Sequence, residues 1–583
     1  MKQVQFTYDS QKQLDDELQN IGELCEGKPA KLLFHVYSEQ SGYKLLKLVC
    51  NTIIQYFPSA LCIGCSCNGS IVDGSFSGNS ISISCTVFES ETTRIGVLQY
   101  DLNEESAAVV AAGLAEAVEK RSWVTAVGLL LAAPEMSLSG FCDGLSAIRQ
   151  DVQVFGGVAG QINEATPAYI FSNIGGFSNG SVVCILYGGE GLHVETSKIS
   201  GWKPLGKTFT VTRADGNVLW ELDGRPAFEA YSKYLNIEND YYFYSNTLEF
   251  PLFYHSDGEY VQRTPLACSE EGALLLATDM RVGESTRISY GDPQFIMDGV
   301  KACSTRLSKF CPEAVFMYSC VARRSFWGED EVDKETKPFN TLAPTAGFYT
   351  SGEILRTNNA VKLHNATIVV VAMREGYADH SRMKTVVVND GTRAGRVSVI
   401  SRLANFTNVS SAELMEMYNK MTKNSITDAL TGLYNRGEIQ RRIAERFAES
   451  PYDQMSLVMI DIDNFKSVND TYGHKIGDCV IEGLSKQIQT ASFENAPDAD
   501  AGRWGGEEFM IMLPDMGIRE AVEFAEAVRT GFAQVSFPQV GRKTISLGAT
   551  EMKRGDSVDS ICVRVDEALY QAKRTGKNKV VVL

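Results

Sequence analysis

Seven residues, Arg503-Trp-Gly-Gly-Glu-Glu-Phe509, place two glycines directly before two carboxylates. The apolar run Phe509-Met-Ile-Met-Leu513 follows, so the glycines are expected at the turn of a hairpin whose second strand the acids begin. Lacking a Cβ, Gly505 and Gly506 let the backbone bend sharply and bring its N–H groups against a bulky anion. Such a turn beside Glu507 and Glu508 points to metal-assisted chemistry on a nucleotide. On its own the run reads equally well as an acidic hairpin. A second segment separates the two readings. Leu457-Val-Met-Ile-Asp-Ile-Asp463 is an apolar strand pattern in which a period of two puts Asp461 and Asp463 on one face. Acids at the end of a buried strand are costly unless a cation or donor meets them. Hard oxygen ligands suit Mg²⁺ or Mn²⁺. Asn464-Phe465-Lys466, Asn469-Asp470, Gly473-His474 and Gly477-Asp478 then crowd polar groups into one short span, with Lys466 able to offset phosphate charge.

Five segments in this order resemble the GGDEF domain, the catalytic domain of diguanylate cyclases. They are Asp428-Ala-Leu-Thr-Gly-Leu-Tyr-Asn-Arg436, Asp461 through Asp478, the Gly-Gly-Glu-Glu-Phe signature, Ser546-Leu-Gly548, and Asp566-Glu-Ala-Leu-Tyr-Gln-Ala-Lys573 with Gly576-Lys-Asn578. The resemblance covers residues 428–583 and implies a nucleotidyl-cyclase-like central antiparallel sheet flanked by helices. It implies that Asp461, the Ile462 carbonyl and Glu507 hold two Mg²⁺ or Mn²⁺ ions per active site. One metal would polarise the α-phosphate of GTP, the other would lower the pKa of an attacking 3′-hydroxyl, and Glu508 would assist. Asn469 and Asp478 match guanine-reading positions, since a carboxylate accepts from the N–H edge that adenine lacks. Gly505, Gly506, Lys466, Lys573 and Lys577 match phosphate-side positions, although Arg is commoner where Lys577 stands, and His474 matches a substrate-side position. Asp463 is expected to orient its neighbours or to share in metal binding. Asp428 and Asn435 are expected to brace the turn before an amphipathic helix containing Ile439, Ile443 and Phe447. The implied product, cyclic di-GMP, requires two such domains to face each other, hence a homodimer. The alternative is a catalytically weak module that binds GTP or cyclic di-GMP and signals through protein contacts. The Arg-x-x-Asp inhibitory site of many relatives is replaced here by Ala496 and Ala499.

A chain of 583 residues has room for several domains before this one. Its net charge of −17 and pI near 5.0, without a Lys/Arg stripe, argue against nucleic acid or an anionic membrane as partner. The apolar runs Val124 to Ala133, Ser181 to Tyr187 and Ile368 to Ala372 are shorter than the ~18 residues a membrane span needs. With no apolar signal region after Met1, a cytoplasmic location is expected. The fourteen cysteines show no disulfide spacing and read as reduced thiols. Cys62, Cys65 and Cys67, in a strand-like run without nearby histidines, read as buried small side chains.

Across the first ~390 residues short apolar strands alternate with helical stretches, giving an α/β pattern with many strands. This region resembles the FIST sensory domain in both halves. The resemblance rests on Ile63-Gly-Cys-Ser66, Phe155-Gly-Gly-Val-Ala-Gly160, Asp223-Gly-Arg-Pro-Ala-Phe-Glu229 with Tyr231, Ser319-Cys-Val-Ala-Arg323, and Ala346-Gly-Phe-Tyr-Thr-Ser-Gly-Glu-Ile354 with His364-Asn365. It implies a site for a small ligand, such as an amino acid or its derivative. Arg323 and Glu353, opposite charges in apolar segments, could grip a zwitterion or pair with each other. The expected layout is thus an α/β and α+β multidomain chain: FIST N-terminal domain 1–222, FIST C-terminal domain 223–395, helical linker 396–427 and GGDEF domain 428–583. Within the linker, Ile400, Leu403, Phe406, Leu414, Met417 and Met421 are spaced for a two-helix seam, weakened at Thr407-Asn-Val-Ser-Ser411.

Overall fold

The computed structural model describes residues 1–25, 30–39, 43–133, 136–161, 167–256, 259–386, 399–449 and 454–583. It divides into two compact units, Met1–Ser411 and Ala412–Leu583. The expected boundary at 395/396 and the expected helix start at Ser398 lie outside the described residues.

The first unit contains one four-strand motif three times. In the first copy, Lys2–Thr7, Lys31–Ser38, Leu61–Ser66 and Ile81–Phe88 form a sheet in which the last strand lies between the first and second. The second copy uses Arg94–Asp101, Val124–Ala132, Gln153–Val158 and Ser181–Gly188 in the same order. The third uses Leu192–Ile199, Ala314–Cys320, Thr345–Thr350 and Ile368–Glu375. In each copy the second and third strands are parallel and the others antiparallel. The second, third and fourth strands of each copy are buried on both faces, which explains their largely apolar sequences, whereas the first strands are partly exposed and more polar. Along Lys31–Ser38, for example, Leu33 and Tyr37 join one core while Leu32, Phe34 and Val36 join another.

After its third strand each copy gives a hairpin to another copy's sheet. Ser70–Val72 with Ser75–Ser77 extends the third sheet, Ile170–Ser172 with Gly176–Ser178 the first, and Gly352–Thr357 with Ala360–His364 the second. The exchange closes a ring, so strands from both sides of the expected 222/223 boundary share sheets. A fourth, antiparallel sheet of eight strands, built from residues between Trp202 and Gly291, is inserted after the first strand of the third copy.

Arg323 and Glu353 do not pair. Arg323 is fully buried and forms an ion pair with Glu335, also fully buried, at 2.7 Å. Glu353 instead accepts from the hydroxyls of Thr350 and Thr367, the latter at 2.8 Å. The sequence pattern lost Glu335 because it lies twelve residues on, in a separate short helix, Asp333–Asn340. The three cysteines follow the strand alternation: Cys65 and Cys67 enter one core and Cys62 the opposite one, so they cannot converge on a metal.

The helix Val399–Ile426 runs unbroken through Thr407-Asn-Val-Ser-Ser411. Asn408 there is a docking residue: its Oδ1 accepts from Gly206 N at 2.9 Å and from Arg287 Nη2 at 3.1 Å, and its Nδ2 donates to Pro204 O at 3.2 Å. Ser401 donates to Asp292 at 3.1 Å. The seam residues Ile400, Leu403, Phe406, Leu414, Met417 and Met421 stay 50% to 71% exposed. Among the described residues no helix is long and apolar enough to cross a membrane.

In the second unit the strand Met455–Ile462 lies at the centre of a five-stranded sheet, between Glu508–Pro514 and Ile545–Glu551. Asp500–Arg503 and Val580–Val582 form the edges, and only the last pairs in parallel. Arg436–Glu449 and Val558–Arg574 cover one face, with Ile439, Ile443 and Val565 in that core. His474–Asn495 and Ile518–Gln534 cover the other. Leu457 and Met459 belong to the first core, Val458, Ile460 and Ile462 to the second.

Candidate active site

The alternation along Met455–Ile462 puts Asp461 in phase with Leu457 and Met459, one step beyond the core they fill. Its direct cross-strand partners are Glu508 on one side and Ser546 on the other. A carboxylate opposite a carboxylate is unfavourable without compensation. Lys573 supplies part of it, with Nζ 2.7 Å from Asp461 Oδ2. That contact depends on Gly548. A Cβ there would stand 2.3 Å from Leu569 N and 2.4 Å from Val565 O, so only glycine lets the helix Val558–Arg574 lie against the sheet and carry Lys573 to the acid. This gives Ser546-Leu-Gly548 a physical role.

The hairpin forms as expected, except that Glu507 remains in the turn and the second strand begins at Glu508. Arg503 fastens the turn: its Nη2 donates to Gly506 O at 2.7 Å, and Nη1 pairs with Asp428 at 3.2 Å. Asp428 also accepts from Thr431, and Asn435 Oδ1 from Glu438 N at 3.0 Å, so both brace the start of Arg436–Glu449. A Cβ on Gly506 would point into open space, while one on Gly505 would meet Glu508 at 2.8 Å. Asp463 accepts from Thr544, Ser546 and Asn578 N, at 2.7, 2.7 and 3.1 Å.

Burial raises the carboxyls of Asp461, Glu507 and Glu508 above their usual range. Lys573 then opposes the rise for Asp461 and Glu508, whereas at Glu507 the neighbouring Asp461 and Glu508 add to it. A cluster of this kind favours a cation. Among the described residues no three His, Cys, Asp or Glu side chains form a metal cage. The donors are hard oxygens, and they fit Mg²⁺ or Mn²⁺ if the Ile462 carbonyl and substrate oxygens complete the shell.

Around this acidic edge, Lys577 donates to Asn464 Oδ1 at 2.5 Å, tying the turn after Val558–Arg574 to the turn after the central strand. Lys466 stands exposed on the helix Phe465–Tyr472, and His474 and Asp478 on His474–Asn495. Asn469 differs, because its Oδ1 is buried and, among the described residues, has no hydrogen-bond partner. Gly477 makes room for it, since a Cβ there would come within 2.0 Å of that oxygen. Sequence reasoning had singled out the acids, Asn469 and the lysines as candidates. It missed Arg503 as the clamp of the turn and Asn464 as the partner of Lys577, both of which depend on contacts between separate turns.

An antiparallel sheet with helices on both faces and acids at one end of its central strand is the architecture of a nucleotidyl-cyclase-like domain. Residues 425–579 match the family model described as diguanylate cyclase, GGDEF domain. Residues 32–225 match the FIST N domain and residues 227–356 the FIST C domain. The chain therefore carries FIST N and FIST C domains and a C-terminal GGDEF domain. It is similar to the diguanylate cyclase VdcA of Vibrio cholerae serotype O1, 37% identical over 178 residues, which are 30% of this chain and 51% of that one. It is also similar to the diguanylate cyclase DgcM of Escherichia coli K12, 37% identical over 164 residues, 26% of this chain and 37% of that one. The match thus spans about half or less of these relatives. Among solved structures, the coiled coil and GGDEF domain of DgcB from Caulobacter crescentus, in complex with c-di-GMP, aligns at 31% identity with a TM-score of 0.30, covering 32% of this chain and 100% of that one.

Proposed function

We propose that the chain is a cytoplasmic diguanylate cyclase whose activity is set by a small ligand in its FIST region. The domains are assigned as 1–222 and 223–395 for the sensor, 396–427 for the linker and 428–583 for the cyclase. The observation that carries the enzymatic reading is the convergence of Asp461, Glu507, Glu508 and Lys573 at one end of the central strand. Asp461, the Ile462 carbonyl and Glu507 would hold two Mg²⁺ or Mn²⁺ ions, which when bound supply Lewis-acid polarisation of the α-phosphate and a lowered pKa at the attacking hydroxyl. The protein's own groups do the rest. Asn469 and Asp478 select guanine, Lys466, Lys573 and Lys577 neutralise phosphate oxygens, Gly505 and Gly506 let the backbone approach them, and His474 lies on the substrate side. Each GTP 3′-hydroxyl attacks the α-phosphorus of the other GTP, forming two 3′–5′ phosphodiesters and expelling two pyrophosphates. The test is incubation of the purified full chain with GTP and Mg²⁺ and identification of the product by mass spectrometry. Binding of GTP without cyclic di-GMP and pyrophosphate would reject the enzyme reading in favour of a binding module.

Base selection has its own check. Asp478→Ala leaves the guanine donors unpaired, so GTP is expected to lose affinity by about tenfold while inosine triphosphate, which lacks the N2 amino group, loses less. Equal losses for both nucleotides would make Asp478 structural.

Two sites must face each other for this product, and the exposed stripe on Val399–Ile426 supplies a seam for two copies. Leu414→Asp with Met417→Asp should leave the chain monomeric by sedimentation and lower turnover by at least about tenfold. Full turnover by a demonstrated monomer would remove the dimer requirement.

A further inference from the structure

A cavity of about 690 Å³ opens in the first unit where the three copies of the motif meet. Part of its wall comes from residues that follow the parallel strands: Asn68 after Leu61–Ser66, Ala159 after Gln153–Val158 and Ser351 after Thr345–Thr350. Backbone hydrogen bonds tie these ends in a ring. Asn68 N donates to Tyr349 O at 3.1 Å, Ser351 N to Val158 O at 3.1 Å, and Gly160 N to Ser66 O at 3.0 Å. Asn217, Tyr244 and Ala277, from the inserted segment, supply another part, and Met136, Leu138 and Leu363 add apolar surface. The crevice beyond the carboxyl ends of parallel strands is where α/β sheets bind ligands, and this volume lies within the roughly 300–1,000 Å³ of small-molecule sites.

The chemistry of the lining narrows the ligand. Among the described residues, none of the eighteen that line it is Asp, Glu, Lys, Arg or His. The polar side chains among them are Asn68, Gln161, Asn217, Tyr244 and Ser351, and the others are apolar. Asn68 Oδ1 is buried and, among the described residues, lacks a hydrogen-bond partner. Behind the wall two groups are held neutral, and the buried Arg263 guanidinium meets backbone carbonyls, its Nε having no hydrogen-bond partner among the described residues. Burial pushes the Glu353 carboxyl up to about 8 and holds the His364 imidazole well below its usual range. Arg263 donates to Gln262 O and Leu363 O, at 3.1 and 3.3 Å. Among the described lining residues a charged ligand would therefore lose its hydration without meeting a charged side chain.

We propose that this cavity is the ligand site of the FIST region and that it takes an uncharged, largely apolar small molecule. The proposal rests on the sensory reading of that region and replaces the zwitterion expected from Arg323 and Glu353. The ring of exchanged hairpins makes the site sensitive to all three sheets, because each contributes one of the tied ends.

The test uses the full chain and two matched probe series, built on leucine and on phenylalanine. Each comprises the free amino acid, the N-acetyl acid, the methylamide and the neutral N-acetyl methylamide. Binding is read by saturation-transfer NMR for the parent chain and for two cavity-filling variants, Ala277→Trp and Ala267→Phe, whose folding is checked by circular dichroism. The neutral members should bind at least about tenfold more tightly than the charged ones, and a folded filling variant should abolish their signal. Charged members binding as well as neutral ones in a cavity-dependent way would overturn the proposal, as would neutral binding that survives filling, or no neutral binding at all. GTP turnover is measured separately. Constant turnover at saturating probe would reject ligand control of the cyclase while the binding result alone decides the cavity.

Discussion

Glu507→Gln and Asp461→Asn should each lower GTP turnover by on the order of 10² or more while leaving the fold intact. Both substitutions keep the shape of the side chain and remove its charge. The structure makes the comparison clean. Burial already raises both carboxyls, and Glu507 is further raised by Asp461 and Glu508, so neutralising either relieves an unfavourable charge and does not break the fold. Asp461→Asn does surrender the ion pair with Lys573, which is about one-third exposed on the lysine side, so its loss should cost little stability. Thermal unfolding of the second unit should therefore shift by no more than a few degrees. Turnover is followed as pyrophosphate release at saturating GTP and Mg²⁺. Near-normal rates in both variants would remove these residues from the metal assignment. A loss of turnover matched by unfolding would show that the acids only support the turn.

The acids were legible because the signals that place them are local. A strand period of two orients Asp461 relative to Leu457 and Met459, and a glycine pair between apolar runs marks the hairpin of Glu507 and Glu508. What joins them is not local. Lys573 reaches Asp461 only because Gly548, on a different strand, lets a helix backbone approach the sheet. The sequence marked Gly548 as part of a family pattern but gave no distance. The sensor shows the same division more sharply. Its strands were visible as apolar runs, yet their pairing was not, since Ser70–Val72 joins Thr345–Thr350 across nearly half the chain. Short apolar strands carry no address for a distant partner, and the exchanged hairpins are short. The threefold recurrence of the motif is therefore a property of topology that no repeated residues announce.

The same limit accounts for Arg323, and it leads to the second large effect. Removing its partner with Glu335→Ala should destabilise the first unit by roughly 3–5 kcal/mol, because it leaves a guanidinium in a site with no water to solvate it. Arg323 and Glu335 are both fully buried, and Nε and Nη2 of the arginine reach the carboxylate at 2.7 to 3.1 Å. Nη1 donates to Ala366 O at 2.9 Å, and the guanidinium lies 5.3 Å from the Trp202 ring centre. The arginine thus ties the third copy of the motif to the start of the inserted sheet, whose later strands help line the cavity. Four of the five tryptophans lie in this unit, so its urea transition can be followed by fluorescence separately from that of the cyclase. Arg323→Met with Glu335→Leu should recover most of the loss, since apolar groups of similar volume often replace a buried pair without penalty. A loss below about 1 kcal/mol in Glu335→Ala would mean that the arginine finds another partner or reaches water. That mobility is what a zwitterion-gripping arginine would need, so the same measurement decides whether Arg323 is a fixed tie of the fold or a group free to meet a ligand.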